Sequence, residues 1–271
     1  MVKQLKISVL TLVVLYSAIY PFISKDNSKD VQSSSSETVT SANVDVPEEA
    51  SFGSEVLPDF SKYQDVKQKK RAFFGYLAPL VRQINSEMLS YRKFVLSVKN
   101  PPKDAKTTAK FEKVANKFHI DLDQDFASIR QQMLLRIDAI PVELVLMQAA
   151  NESAWGTSRF ALVANNLFGQ WCFKPGCGVV PTGRPDGEKY EVRKFEHPIN
   201  SIRSYFNNLN TGHAYDDMRE IRLALREDDK PLNASEIAEG LLSYSIRREA
   251  YIEEIQAMIR INSKYIPKAN G

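Results

Sequence analysis

The chain has 271 residues, 43% apolar and 25% charged, with a formal net charge of +3, the balance of a soluble globular domain with room for a sizeable core. Lys3 and Lys6 carry two of those three charges, so the remainder is nearly neutral and lacks the concentrated basic face that nucleic acid requires. The one basic cluster, "KQKKR" at residues 67–71, reads as a solvated helix start, with contact to an anionic surface as the alternative.

In chain order, residues 1–24 open with the two lysines and continue as an apolar run from Ile7 to Ile23, which reads as an export signal. At 1.5 Å per residue the run reaches roughly 26 Å, a little short of the ~30 Å hydrocarbon layer. No small-x-small cleavage site precedes Lys25. The expectation is therefore a membrane anchor in the inner membrane with the chain facing the periplasm, or a secreted protein if the segment is cut. Residues 25–58 are rich in Ser, Thr and acids and poor in aromatics. Such a stretch cannot bury enough apolar surface to fold and reads as a flexible tether.

Residues 63–98 place Phe73, Leu77, Leu80, Val81, Ile84 and Met88 at three- and four-residue steps, which predicts a helix. Pro79 is expected to kink or split it, and the Pro101-Pro102 pair to end the region. Further helices are expected at 107–118 and at 125–137, where Met133, Leu134 and Ile137 are apolar, and Pro141 is expected at the first position of the next one. Residues 172–195 change character, with early Pro and Gly, "RPDG" as a hairpin turn and strand-like alternation in "EKYEVRKF". Helices resume at 199–210, 217–227, 235–245 and 251–265, the last with Ile252, Ile255, Met258 and Ile259 on one face. There is no internal repeat.

Cys172 and Cys177 bracket "FKPG", whose Pro-Gly turns the chain back on itself. In an oxidising compartment a short-loop disulfide is expected, with two free thiols as the alternative. Zinc would need four ligands, and the nearest histidine, His197, is far along the chain. No metal and no cofactor are expected.

The sharpest local feature is "QAANESAWGTSRFALVANNLFGQW". Val145, Gln148, Ala149 and Glu152 share one helix face. Gly156 suits the left-handed residue that ends a helix, and Thr157 or Ser158 can cap the next one. Glu152 then sits at a helix end beside the Trp155 indole, where desolvation raises a carboxyl's pKa toward the range of a general acid. The plain alternative is a surface acid at a helix end.

"AANESAWGTSRFALVANNLFGQWC", "KFEHPINSIRSYFNNLN" and "LLSYSIRREAYIEEI" together resemble the glucosaminidase family of bacterial peptidoglycan hydrolases, glycoside hydrolase family 73, in its Bax-like branch, which has a Cys-x4-Cys pair in the same place. The resemblance covers roughly residues 137–261. It implies an α+β, mainly α fold of lysozyme type: a helical domain with a small β-hairpin lobe and a glycan groove between them, over residues 137–267. The helical region 59–136 lies outside it. It also implies that Glu152 is the catalytic acid, that Tyr244 lines the cleft with Tyr251 as the second aromatic, and that the substrate is a peptidoglycan glycan strand; a monomer is expected.

The family places a second carboxylate, where it has one, in the lobe. Asp186, Glu188, Glu191 and Glu196 are available, and Glu188 is favoured. Asp186 also reads as a turn former, and Glu188 and Glu191 as solvent-facing strand residues. Retaining enzymes set their carboxyls ~5–5.5 Å apart and inverting ones ~6.5–9.5 Å, while the 2-acetamido oxygen of the sugar can replace the second group, with a tyrosine such as Tyr244 to orient it. Trp155, Asn166, Phe168, Trp171 and Tyr205 are candidate substrate contacts. Phe168, Trp171 and Tyr205 read equally as core, and Asn165-Asn166 as a turn. His213 reads as structural. The rival activities are a lytic transglycosylase and a catalytically silent wall-binding module.

Overall fold

The computed structural model describes residues 56–268. The expected N-terminal anchor, and the tether up to residue 55, lie outside the described residues. Among the described residues no helix is long and apolar enough to cross a membrane.

Helix α1 (Val66–Ser97) starts where the Asp65 side chain accepts from the Gln68 N–H at 2.7 Å, and it buries the predicted face from Phe73 to Met88 and on to Val95. The split expected at Pro79 does not occur. Pro79 and Gly75, the residue whose carbonyl loses its partner, both lie on the exposed face, so the orphaned carbonyl faces solvent and the helix continues to Ser97. Helices α2 (Ala105–Lys117) and α3 (Phe126–Arg136) begin at Asp104 and Asp125, each capping backbone N–H groups. A buried connector, residues 137–140, then leads to Pro141, which is the N-cap of α4 (Val142–Glu152), one position before the expected one. Every residue from Leu144 to Ala150 is buried. A helix covered on all sides is a central helix, and α4 packs against α1.

After α5 (Arg159–Ala164) the chain forms a three-stranded antiparallel sheet, β1 (Trp171–Cys172), β2 (Gly178–Val179) and β3 (Glu191–Arg193), in the order β1-β3-β2. Trp171 faces Val192 across β1 and β3, and Gly178 faces Arg193 across β2 and β3. The Cys172–Cys177 disulfide ties β1 to the turn before β2. "RPDG" sits in the loop between β2 and β3, and the expected alternation is strand only over Glu191–Arg193.

Helices α6 (Pro198–Thr211), α7 (Asp216–Glu227), α8 (Ala234–Glu239) and α9 (Glu249–Asn262) complete the body, and α4 also packs on α8 and α9. The helix expected to reach residue 245 stops at Glu239. A Cβ at Gly240 would lie 2.3 Å from the Met218 Cα, so the chain passes too close to α7 for any side chain and turns there. The architecture is α+β, mainly α. One core runs from Leu57 to Ile259, so the helices before residue 137 and those after it are packed as a unit.

A polar clasp holds the 137–140 connector. Asp138 accepts from Arg226 at 3.0 and 2.9 Å and pairs with Arg92 at 3.4 Å. Arg222 donates to the carbonyls of Leu135 and Arg136 and to Asn210. Asp138, Arg219 and Arg222 are buried. Burial pushes the Asp138 carboxyl up, but the Arg226 bonds and the charges of Arg222 and Arg92 hold it below the ordinary carboxylate value.

Candidate active site

Helix α4 ends at Glu152. The Ser153 hydroxyl donates to the Ala149 carbonyl at 2.6 Å and accepts from the Gly156 N–H at 2.8 Å. Three consecutive left-handed residues follow: Ala154 (φ 50°), Trp155 (φ 60°) and Gly156 (φ 75°). Only Gly156 is expected from the sequence, and each non-glycine residue there costs about 1–2 kcal/mol. Packing holds the turn in place. The Trp155 ring lies 5.7 Å from Phe73 and 5.3 Å from Phe74, with the Lys70 ammonium over it at 5.1 Å. A Cβ on Gly156 would fall 2.6 Å from the Phe60 ring. The indole expected to line a groove thus serves as a prop between the turn and α1. Ser158 then caps α5 by accepting from the Ala161 N–H.

The turn leaves Glu152 half-buried, facing a hydrogen-bonded chain. The Tyr205 hydroxyl donates to Gln148 Oε1, Gln148 Nε2 donates to the Tyr251 hydroxyl at 3.0 Å, and Tyr251 donates to Glu152 Oε1 at 3.1 Å. Gln148 and Glu152 are one turn apart on α4, so α6 and α9 are joined through the face that carries the acid. Tyr244 stacks on Tyr251 with ring centroids 5.3 Å apart and is edge-on to Tyr205 at 6.5 Å. Phe168 stacks on Tyr205 with ring centroids 4.1 Å apart. Among the described residues the Tyr244 hydroxyl makes no hydrogen bond of its own.

Burial raises the Glu152 carboxyl to about 7; the Tyr251 bond opposes the rise, the charge of Glu254 adds to it, and Arg247 opposes it. Burial and the Glu152 charge likewise raise Tyr244 and Tyr251. A carbon-13 NMR titration of Glu152 is expected to show a midpoint near 7. Tyr251→Phe, which removes a bond to the charged form, is expected to raise that midpoint, and Glu254→Gln, which removes a like charge, to lower it. A midpoint in the ordinary carboxylate range would contradict the desolvated environment.

The structure thus brings together Glu152, Tyr244, Tyr251, Tyr205 and Phe168. Asn166 is committed elsewhere: its Nδ2 donates to the Gln170 and Arg193 carbonyls, and its Oδ1 accepts from the Phe168 and Gln170 N–H groups. All four positions of the amide are filled, so it holds the loop in place of the expected substrate contact. Trp171 is buried in the sheet, its ring 4.4 Å from Tyr190. Glu191 corrects the solvent-facing reading, since it is buried and its carboxylate accepts from Gly176 and Gly178 N–H groups at 2.9 and 2.8 Å. Those bonds hold it below the usual carboxylate range. Glu188 is exposed in the loop between β2 and β3, and its charge registers on Tyr190. Asp186 precedes Gly187 (φ 88°) in a turn. Glu196 and His213 are each 85% exposed.

Among the described residues Cys172, Cys177 and Glu191 are the group whose donor atoms converge at metal-ligand distance. Both sulfurs are in the disulfide and the carboxylate is bonded to two N–H groups, so this set does not fit a metal. The periodicity shows Gln148 on the Glu152 face but not its place in the chain to Tyr205. Arg247 and Glu254 are missed altogether, although Glu254 follows Tyr251 by three residues on one helix face.

The glucosaminidase family model, described as mannosyl-glycoprotein endo-beta-N-acetylglucosaminidase, matches residues 127–264. Protein bax of Escherichia coli (strain K12) is 30% identical over 212 residues, covering 78% of this chain and 76% of that protein. No solved structure matches the chain. The similarity to the Escherichia coli protein is longer than the stretch from residue 127 to the end of the chain, so it takes in part of the helices before α3.

Proposed function

Because the chain belongs to the glucosaminidase family, we propose that it hydrolyses the glycan backbone of peptidoglycan on the reducing side of N-acetylglucosamine, as an endo-β-N-acetylglucosaminidase. The observation that carries this reading is the Glu152 carboxyl, desolvated at the end of α4, held by Tyr251 and raised to about 7. It keeps a proton near neutral pH, as a general acid must. Glu152 protonates the glycosidic oxygen as the C1–O bond breaks. Of the lobe's carboxylates, Glu191 is locked by two backbone bonds and Glu188 is exposed in the loop, which favours a route that needs no second carboxylate. The 2-acetamido carbonyl oxygen of the sugar therefore attacks C1, with the open hydroxyl of Tyr244 to orient it. Water then adds at C1, reopens the ring and returns its proton to Glu152.

The disulfide supports an oxidising compartment. In this proposal the apolar segment at residues 1–24 carries the chain out of the cytoplasm and anchors it at the inner membrane. Mass spectrometry of the fragments released from purified sacculi tests the activity. New reducing ends on N-acetylglucosamine are the expected result. Anhydro-muramic ends would replace the proposal by a lytic transglycosylase, and binding to sacculi with no soluble sugar released by a silent wall-binding module.

A further inference from the structure

Arg247 belongs to the segment between Tyr244 and Tyr251, the pair that flanks Glu152. Arg247 Nη1 donates to Glu254 Oε2 at 2.8 Å. Glu254 lies one turn after Tyr251 on α9, on the same face, and Tyr251 touches Glu152. Arg247 itself falls three residues after Tyr244 and four before Tyr251, the stacked pair that flanks the acid. Buried Ser245 fixes its backbone, with the hydroxyl accepting from the Arg247 N–H at 3.2 Å and the carbonyl from the Arg248 N–H at 3.0 Å. The two side chains are 40% and 38% exposed, so the pair faces solvent beside the acid and is not part of the core. A guanidinium carries five N–H donors in a planar fork. Glu254 takes one of them, and an edge is left over.

We propose that Arg247 is a specificity-determining residue that recognises the free 3-O-lactyl carboxylate of a muramyl sugar whose stem peptide has been removed, next to the bond being cut. The proposal rests on the peptidoglycan reading above. Both sugars of the glycan carry a 2-acetamido group and ring hydroxyls, so those groups cannot tell one from the other. The lactyl ether can, and once the stem peptide is removed its carboxylate is the one charged group of each disaccharide repeat. A forked guanidinium matches a carboxylate in two parallel bonds, which a lone hydroxyl or amide cannot satisfy. Glu254 has a second effect as a positioning residue. The Arg247 charge favours ionised Glu152, and pairing with Glu254 partly offsets that charge.

Binding calorimetry on the full chain carrying Glu152→Gln tests this, using chitotetraose and a stem-stripped peptidoglycan tetrasaccharide. The lactyl-bearing sugar is expected to bind more tightly. Adding Arg247→Ala is expected to cut that preference by about tenfold or more, the worth of one charge-assisted hydrogen bond, and Arg247→Lys, which keeps the charge and loses the fork, by less. Equal loss on both sugars, or none on either, overturns the proposal. Cleavage of sacculi by the unsubstituted protein is scored separately: its absence removes the hydrolase reading, and the ratio of affinities still decides the role of Arg247.

Discussion

Glu152→Gln is expected to lower turnover on purified sacculi by about 10²–10⁴, the usual contribution of a positioned general acid, while making the protein more stable at pH 8. The amide has the shape of the carboxyl, and its oxygen can accept the Tyr251 bond, so the chain from Tyr205 through Gln148 persists. What is lost is the proton. The stability change follows from linkage. The carboxyl titrates near 7 in the folded chain against an ordinary 4.5, so between those values the native state binds more protons than the unfolded state. Folding therefore weakens as pH rises through that window, and the full penalty is present above it. At about 1.4 kcal/mol per pH unit, reduced because the side chain is only half-buried, the relief from glutamine is about 1–3 kcal/mol at pH 8 and absent at pH 4. Thermal melts at the two pH values, beside a dye-release assay on sacculi, read both effects. Activity within a few-fold of the parent would remove Glu152 from the proposed role, and a melting temperature that drops at pH 8 would remove the desolvation argument.

This acid is therefore held at a cost, as are the left-handed residues that follow it. The compensation comes from outside the motif. Phe60, Phe73, Phe74 and Lys70 all belong to the region before residue 137, and they cover Trp155 and Gly156. The tight turn after Glu152 thus depends on α1 and on the short segment that leads into it, which explains why one core encloses both regions.

Those dependences decide what is legible in the sequence. The faces of α1 and α9 and the shared side of Gln148 and Glu152 are local periodicities and can be counted. So can the aspartate caps, and the Pro-Gly turn brings Cys172 and Cys177 within reach of each other. The uninterrupted path of α1 through Pro79 depends on which side of the helix faces water, and that requires knowing what α1 packs against. Gly240 looks like an ordinary helix position until α7 is placed against it. Trp155 beside an acid suggests a groove wall, yet the two backbone dihedrals that turn it toward α1 belong to residues with no sequence preference for them. Glu191 alternates as a strand residue facing water should, and only the return of the 176–178 turn shows that two N–H groups wait for its carboxylate. Arg219, Arg222 and Arg226 recur at the spacing used for apolar stripes, but a rule that counts only apolar side chains passes over a face on which Arg219 and Arg222 are buried and Arg226 is partly covered.

That arginine stripe carries the second large effect. Asp138→Asn is expected to destabilise the protein by about 3–5 kcal/mol, the range for breaking a buried ion pair by removing one partner. Asp138 is 1% exposed, and its carboxylate faces Arg92 and Arg226, with the Arg222 charge close by. Asparagine keeps the size and leaves those cations without a counter-charge. Arg226→Ala removes a partner whose side chain is 33% exposed and whose place water can take, so it is expected to cost less than half as much. Asp138 is held below its ordinary value in the fold, so its contribution is present above the unfolded pKa and lost as pH falls through the folded one. The deficit of Asp138→Asn relative to the parent should accordingly shrink in strongly acidic solution. Because Arg222 also donates to the carbonyls of Asp138 and Ala139, in the connector that leads into α4, loosening the cluster frees the approach to α4, the helix that ends in Glu152. Urea unfolding at pH 7 and pH 3 measures the stabilities, and an Asp138→Asn midpoint indistinguishable from the parent at pH 7 would show that the clasp contributes nothing to the fold.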